Sequence, residues 1–359
     1  MEVLAFYLPQ FHPIPENDEW WEPGFTEWVN VASARPLFRG HTQPRLPADL
    51  GFYDLRLPEA RARQAELAQA YGVTGFIYWH YWFAGRKLLE RPLDEVIASG
   101  EPDFPFCVAW ANHSWSDTWM GGANRTMIEQ TYPGPEDDQA HFDDLRTAFE
   151  DPRYLRVDGK PILFIFRPGL LPDAAKFVET WQHMAADLGG LYLVASGPFL
   201  DPDKMVDAGF DAIAFVEKPF AMPTVSSRLT TLLRRFHLLR GPMRFRYADF
   251  CTSAPPETLG CTALPCVWPN WDDTPRRGRR GVVAAGSSPQ RFERQVLGAV
   301  DMARRAPDGE QMVVIKSWNE WAEGNYMEPD QEFGRGWLEA LARGLAAKGE
   351  GPRSTQSPG

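Results

Sequence analysis

The stretch "MVVIKSWNEWAEG", residues 312–324, decides how this chain is read. Four apolar residues run into a lysine, and Trp318, Asn319, Glu320, Trp321 and Glu323 follow within six positions. A near-continuous apolar run of this length fits a strand buried on both faces of a parallel sheet. Two carboxylates three positions apart, set among indoles at the exit of such a strand, form a candidate acid/base pair. In a continuing strand, positions i and i+3 point to opposite faces. A turn at Trp321–Ala322, which Gly324 makes easy, would carry Glu320 and Glu323 into one pocket. The plainer alternative is a capping or solvated pair at the start of a closing helix.

The same grammar recurs upstream. "VLAFYLPQF" (3–11), "GVTGFIYWHYWF" (72–83), "PFCVAWAN" (105–112), "PILFIFRP" (161–168), "LYLVASG" (191–197), "AIAFVEKP" (212–219) and "ALPCVWPNW" (263–271) bring the apolar runs to eight. Amphipathic segments lie between them: "PEARARQAELAQAYG" (58–72), "DDQAHFDDLRTAF" (137–149), "PDAAKFVETWQHMAADLGG" (172–190), "SPQRFERQVLGAVDMARR" (288–305) and "GRGWLEALARGLAAKG" (334–349). The first opens on Pro and stops at Gly, the usual helix punctuation. This alternation predicts an α/β chain closed into a (β/α)8 TIM barrel, a fold of ~250 residues in its usual size. The surplus of a 359-residue chain then falls in long βα loops, with 12–57, 113–136 and 220–262 as candidates. Residues 1–348 are expected to form one (β/α)8 catalytic domain, and 349–359, "GEGPRSTQSPG", a disordered tail. The competing open, doubly wound sheet would show a Gly-rich phosphate turn after its first strand. Here that strand leads into "YLPQFHPIPEND" (7–18), and no GxGxxG or P-loop occurs elsewhere.

Composition bounds the partners. A formal net charge of -11 leaves no electrostatic footprint for nucleic acid or an anionic membrane. The basic cluster "RRFHLLRGPMRFR" (234–246) reads as a solvated helix face and its exit. No run approaches the ~18 apolar residues of a spanning helix, so no membrane insertion is expected. The opening "MEVLAFYLPQF" has neither a basic n-region nor a cleavage site, which predicts a cytoplasmic protein unless a leader has been removed. Cysteines 107, 251, 261 and 266 lack paired CxxC spacing, and no metal or other cofactor is expected. The unusual quantity is aromatic: 14 Trp, 10 Tyr and 23 Phe. An indole N–H needs a partner when buried, so many tryptophans beside polar residues suit a wet surface on which sugar rings stack. A Trp-rich core is the other explanation.

A (β/α)8 barrel builds its active site at the C-terminal ends of its strands. Those exits carry Gln10 and His12; His80 and Trp82; Trp110, Asn112, His113 and Trp115; Arg167; Glu217 and Lys218; Trp268, Asn270, Trp271 and Asp272; and Trp318, Asn319, Glu320 and Glu323. Tyr7, His12, Trp28, His80, Trp82, Trp110, Asn112, Trp115, Arg167, Trp271, Trp318 and Asn319 are therefore the candidate sugar-binding residues. Glu320 and Glu323 are the candidate catalytic residues. Two adjacent carboxylates in a dry site divide labour, because one pKa rises to make an acid while the other group stays a base. Glycosidic cleavage needs this division. His12 and His80 lack HxH or HExxH spacing for zinc, and Ser196 and Ser317 lack a nucleophile elbow.

Several long motifs in order also resemble the WbsX-type family, named for polysaccharide glycosyltransferases and similar to the family 99 endo-α-mannosidase and endomannanase glycoside hydrolases. They are "AFYLPQFHPIPENDEWWEPGFTEWVNVASARPLFRGHTQPRLPADLGFYDLR" (5–56), "YGVTGFIYWHYWFAGRKLLERPL" (71–93), "FPFCVAWAN" (104–112), "IEQTY" (128–132), "DPRYLRVDGKPILFIFRP" (151–168) and "SWNEWAEGNYMEPD" (317–330). The resemblance covers most of 3–345, with 220–262 matching least. It implies a (β/α)8 barrel and, by analogy with the endo-mannosidases, cleavage inside a glycan with retention. It further implies that Glu320 is the base that activates the substrate's 2-hydroxyl through a 1,2-anhydro sugar, and Glu323 the general acid/base. One departure stands out: where the family reads WANE and, further on, W-D-G, this chain reads "WANHSWSDTWMGG" (110–122), with His113 and Met120 in place of acids. The expected partner is an oligosaccharide or polysaccharide, bacterial or mannan-like, and the expected activity is retaining endo-hydrolysis. Two alternatives stand beside it. One is a glycosyltransferase of O-antigen or capsular assembly, for which "DPD" (201–203) is the nominal acidic pair; the other is a non-catalytic carbohydrate-binding barrel.

Overall fold

Each of the eight apolar runs becomes a strand. The structure, a computed structural model, describes residues 1–117, 125–198, 200–214, 241–250 and 259–350. Within them lie β1 (Glu2–Tyr7), β2 (Gly75–Phe83), β3 (Phe106–Trp110), β4 (Lys160–Ile165), β5 (Tyr192–Ser196), β6 (Ala212–Ala214), β7 (Thr262–Leu264, continued by Cys266–Val267) and β8 (Met312–Ile315). Neighbours pair in parallel in chain order from β1 to β6. β8 returns to β1, with Glu2 opposite Met312 and Ala5 opposite Ile315. β7 closes the ring, pairing with β6 through Thr262–Leu264 and with β8 through Cys266–Val267. Pro265 divides it, since proline cannot donate to a ladder, yet its carbonyl still accepts from Val314 N at 2.9 Å. The predicted (β/α)8 TIM barrel is what forms.

The strands show almost no alternation of burial. All nine residues of β2 are buried, as are all residues of β3, β5 and β8. The inward side chains fill the barrel and the outward ones lie under helices, which is the expected condition of a parallel sheet covered on both sides. This has a consequence at the site: hydrophobicity alone does not reveal which parity of a strand faces the barrel interior.

Among the described residues the helices are α1 (Pro15–Trp20), α2 (Glu27–Ser33), α3 (Pro58–Ala70), α4 (Arg91–Ser99), α5 (Pro135–Phe149), α6 (Ala174–Met184), α7 (Pro202–Asp207), α8 (Thr274–Arg277), α9 (Pro289–Ala303) and α10 (Gly336–Ala346). All five predicted helical segments are present. Side-chain caps start two of them, Asp173 accepting from Lys176 N at 2.9 Å and Ser288 accepting from Arg291 N at 3.4 Å. The segment predicted at 172–190 stops at Met184 and ends in a 3-10 turn closed by Gly189 at φ 81°. α4 was unpredicted, although Pro92 in its first turn and Gly100 at φ 73° punctuate it. The long 12–57 loop holds α1 and α2, and the 113–136 loop holds a short hairpin, Trp115–Ser116 with Thr126–Ile128. Glu217, Lys218, Met120, Cys251, most of 220–262 and residues 351–359 of the expected tail lie outside the described residues. Among the described residues, no helix is long and apolar enough to cross a membrane.

A glycine lets α10 pack tightly on α9. In α10, a Cβ added to Gly344 would stand 2.8 Å from Val296 Cγ1 and 3.0 Å from Val296 Cβ on α9. Gly344→Val should force the two helices apart and cost about 1–3 kcal/mol, the usual penalty of overpacking. Urea denaturation reads this as a lower midpoint with an unchanged slope. An unchanged midpoint would show that the α9–α10 contact yields freely.

Candidate active site

Beyond β8 the chain does turn where the sequence analysis expected. Asn319–Glu320 pairs antiparallel with Asn325–Tyr326 across a single turn, Trp321–Glu323. Gly324 closes it at φ 58°, ψ 24°, left-handed backbone that few other residues adopt cheaply. The fit is also tight, because a Cβ here would lie 2.8 Å from Asp272 Cβ. Asp272 N donates to the Glu323 carbonyl at 2.6 Å, fastening the turn to the exit of β7. Asn319 fastens the other side: its Oδ1 accepts from Leu8 N at 2.7 Å and its Nδ2 donates to Leu8 O at 3.0 Å. Held at β1 and β7, the hairpin has little freedom, and both carboxylates emerge on the same wall.

They meet one guanidinium. Arg276 on α8 donates from Nη1 to Glu323 Oε1 at 2.8 Å and from Nη2 to Glu320 Oε2 at 3.1 Å. Its Nε donates to Oε2 of Glu27, on α2, at 3.1 Å. Lys316, at the end of β8, stands 3.9 Å from Glu320 Oε1 and 3.8 Å from Glu323 Oε2. Its ammonium lies within 6.0 Å of the rings of Phe6, Trp79 and Trp268. All five charged side chains are nine-tenths or more buried. Three carboxylates face two cations, so the cluster is neutral when it holds one proton. Burial, and then the Glu323 charge, raise the pKa of Glu320, while Lys316 and Arg276 oppose the rise. Burial works against the charge on Arg276, but Glu27, Glu323 and Glu320 outweigh it and hold its pKa above the ordinary value.

The carboxylates form one side of a cleft that is open to solvent. Its aromatic walls are Trp20, Trp21, Trp79, Tyr81, Trp115 and Phe166. Burial followed by the nearby Glu320 charge raises the pKa of Tyr81, so it faces the carboxylates as a neutral phenol. Arg167 and His113 stand on the wall formed by the β3 and β4 exits. Burial and the adjacent Arg167 lower the pKa of His113 to about 3. Among the described residues, no cluster of three or more His, Cys, Asp or Glu is arranged to hold a metal ion.

Of the predicted binding residues, Trp115 and Arg167 line this cleft and the others do not. On β2 the outward parity carries His80 and Trp82, and it is Trp79 and Tyr81 that face in. His80 Nε2 lies 2.9 Å from Nε2 of His141 on α5, and Trp82 stacks on His141 and donates to Asp137 Oδ1 at 3.0 Å. Trp110 packs against Phe177 and Trp181 of α6. Tyr7 is outward too, donating to Gln64 Oε1 on α3 at 2.6 Å. Trp318 packs on Phe76, Trp271 on Trp268 and Trp28 on Trp321, with the Trp28 N–H given to Tyr53 O at 2.8 Å. The His12 Nδ1 is 2.9 Å from Pro9 O. Asn112 and Asn319 bind backbone rather than open space. Asn112 Oδ1 accepts from Arg167 N at 2.9 Å and Nδ2 donates to Arg167 O at 3.0 Å. For Tyr7, His80, Trp82 and Trp110 the physical reason is shared: strands buried on both faces offer two aromatic parities, and residue type does not say which one points inward.

Arg276, Lys316, Glu27, Trp79 and Tyr81 escaped the sequence reading. Arg276 lies four residues past Asp272 in "DDTPRRGRR" (272–280), so a search for a counter-ion to the two glutamates beyond the β7 exit would have met it. Lys316 is a cation ending an apolar strand, a costly position unless carboxylates wait for it. Glu27 gave no signal of its own, since the long loop that carries it has no strand register.

Comparison with known proteins agrees with this architecture. A family model described as "Glycosyltransferase WbsX" matches residues 3–341. Two curated relatives, each an uncharacterised protein called WxcX, come from Xanthomonas campestris pv. campestris. The one from strain B100 is 40% identical over 348 residues, which is 96% of this chain and 49% of the relative. The one from strain ATCC 33913 is 39% identical over 355 residues. This chain therefore spans about half the length of the curated relatives it matches. Among solved structures, a glycoside hydrolase-like protein superposes with a TM-score of 0.60 at 15% identity, covering 96% of this chain and 93% of the other. A family 99 endo-α-mannosidase from Bacteroides thetaiotaomicron superposes with a TM-score of 0.57 at 15% identity, covering 99% of each chain. At such identities the likeness is one of fold.

Behind the hairpin lies a further carboxylate with a measurable signature. Glu328 is fully buried and accepts from Gln64 Nε2 at 2.6 Å, Tyr53 Oη at 2.9 Å and Trp321 Nε1 at 2.5 Å. Burial outweighs these donors and raises its pKa from 4.5 to about 7. Between those two values the folded protein holds a proton that the unfolded chain has released, so this contribution to stability falls as pH rises through the window and is flat above it. Urea midpoints of the parent and of Glu328→Gln, measured from pH 5 to pH 8, should show the parent's advantage shrinking by on the order of 3 kcal/mol. A pH-independent difference would mean that the three donors keep Glu328 ionised throughout.

Proposed function

This chain belongs to the WbsX glycosyltransferase family, and within that family we propose that it acts as a retaining, endo-acting glycoside hydrolase of a bacterial polysaccharide or mannan-like glycan. The observation that carries the reading is the convergence of Glu320 and Glu323 on Arg276, at the wall of an aromatic-lined cleft. Glu320 takes the proton of the substrate's 2-hydroxyl as that oxygen attacks C1, and Glu323 gives a proton to the departing glycosidic oxygen. The C1–O bond breaks and a 1,2-anhydro sugar forms. Glu323, now a base, takes a proton from water as the water oxygen opens the ring at C1, and Glu320 returns its proton to O2. Two displacements at C1 give net retention.

The electrostatics suit these roles. A carboxylate whose pKa is raised is a stronger base, and Arg276 and Lys316 oppose its neutralisation in the resting state. Holding the 2-hydroxyl next to C1 turns a difficult encounter into an intramolecular step, where effective molarities are large. For this chemistry the single proton that neutralises the cluster has to sit on Glu323 when substrate is bound, because Glu320 must enter the step as a carboxylate. The nucleotide-sugar alternative draws less support. Asp201 of "DPD" is an exposed helix cap that accepts from Lys204 N, and neither it nor Asp203 lines the cleft.

The proposal is tested with purified bacterial polysaccharides and mannans, incubated with the protein in the absence of any nucleotide sugar. New reducing ends are expected, and Glu320→Gln and Glu323→Gln should each lower kcat by about 10²–10⁴-fold while glycan binding persists. Unchanged hydrolysis in both variants would remove the assignment of the pair. Activity that appears only with an activated sugar donor would favour transfer over hydrolysis.

A further inference from the structure

We infer that the cleft is built for an acidic glycan, and that Arg167 receives a negatively charged substituent of the sugar on the wall opposite the glutamates. This rests on the reading of the cleft as a glycan-cleaving site and adds the class of substrate. In a ring of eight strands β4 lies four places from β8, so Arg167 and the glutamate pair stand on opposite sides of the barrel mouth.

Arg167 is placed with care and, among the described residues, is left without a counter-ion. Asn112, itself fully buried, grips its backbone through both amide atoms at 2.9 and 3.0 Å and also donates to Tyr132 Oη at 3.1 Å. The guanidinium carbon lies 5.4 Å from the Phe166 ring centroid, and its buried Nε has no hydrogen-bond partner. Among the described residues no carboxylate lies within ion-pair distance of it. Other substantially buried arginines have one: Arg61 meets Glu95 at 2.8 Å, Arg153 meets Asp151 at 2.6 Å, and Arg276 meets three. Accordingly, burial alone acts on Arg167 and lowers its pKa. A partly desolvated cation without an anion is costly, which is a reason to look for the anion in the ligand. His113 beside it is neutral and supplies no compensation.

The cleft is thus polarised. One wall carries three carboxylates against two cations, and the other carries an unbalanced arginine. A sugar bearing a carboxylate or a phosphate is drawn to Arg167 with its charge away from Glu320 and Glu323, and the reversed pose is repelled. Both groups share the chemistry that a guanidinium fork recognises, a pair of oxygens on one charged centre. Arg167 would therefore select the substrate and set its direction in the cleft.

Binding is measured by calorimetry with the Glu320→Gln protein, so that turnover does not intervene. The probes are oligogalacturonates and hyaluronan oligosaccharides for carboxylate, phosphomannan oligosaccharides for phosphate, and neutral mannan and galactan oligosaccharides of matched length. At least one acidic class should bind about 10- to 100-fold more tightly than the neutral ones, and the class that does so identifies the substituent. Adding Arg167→Gln should bring the acidic-to-neutral ratio close to one, whereas Arg167→Lys should keep part of it. Equal affinity for acidic and neutral probes, no binding of any acidic probe, or a ratio untouched by Arg167→Gln would each overturn the inference. A probe that binds through Arg167 but yields no reducing ends with the parent protein counts against the hydrolase reading alone.

Discussion

A single guanidinium, removed from water and shared among three carboxylates, holds together the parts of this molecule that matter most. Arg276 reaches Glu27 from the loop after β1 and Glu320 and Glu323 from the hairpin after β8, while its own helix hangs from β7. Glu27 lies 249 positions from Arg276, and Glu320 lies 44 positions beyond it. Without the cation, three carboxylates would be buried together and would repel. With it, each gains a charge-assisted hydrogen bond, the strong kind. Removing one partner from such a buried arrangement usually costs about 3–5 kcal/mol, because the remaining charges lose their compensation. The same cation that secures the fold at the barrel mouth also opposes the protonation of Glu320.

A second arrangement supports the hairpin from behind. Tyr7 on β1, Gln64 on α3, Glu328 and Trp321 form a chain of short hydrogen bonds beneath the turn. Trp321 in turn stacks on Tyr326 with centroids 3.8 Å apart. The barrel thus braces the hairpin that carries Glu320 and Glu323 with polar groups that never reach the cleft, and such fully satisfied networks specify one geometry rather than a family of them. The aromatic wealth of the chain divides in the same way. Trp82, Trp110, Trp181 and His141 knit β2 and β3 to α5 and α6, and a different group, including Trp20, Trp21, Trp79 and Trp115, meets solvent in the cleft. The tryptophans are therefore divided between the packed core and the cleft wall.

The polarity of the cleft links the fold to its proposed chemistry. The β7 and β8 exits concentrate acids with their own cations, while the β3 and β4 exits carry Arg167 and a neutral His113. His113 stands in the third-strand motif where the resemblance leads one to expect a glutamate, and its neutrality leaves the field of Arg167 open toward the cleft. A barrel shared with family 99 enzymes at 15% identity leaves room for such a change, because a scaffold of this kind conserves strand ends as positions rather than as residues.

How much of this was legible in the sequence follows from what each signal encodes. Eight apolar runs alternating with amphipathic segments determined the closed barrel, because burying both faces of a parallel sheet requires that pattern. The spacing of Glu320, Glu323 and Gly324 determined a turn that carries two acids to one side, since only a left-handed residue continues the chain there. Parity was not legible. Every residue of β2 is buried whichever way it points, so His80 and Trp82 were as plausible in the cleft as Trp79 and Tyr81, and only the helices packed outside the barrel distinguish them. Nor could sequence spacing bring Glu27 to Arg276 across 249 positions. Closure of the barrel does that, because it alone converts distant strand exits into neighbours around one mouth.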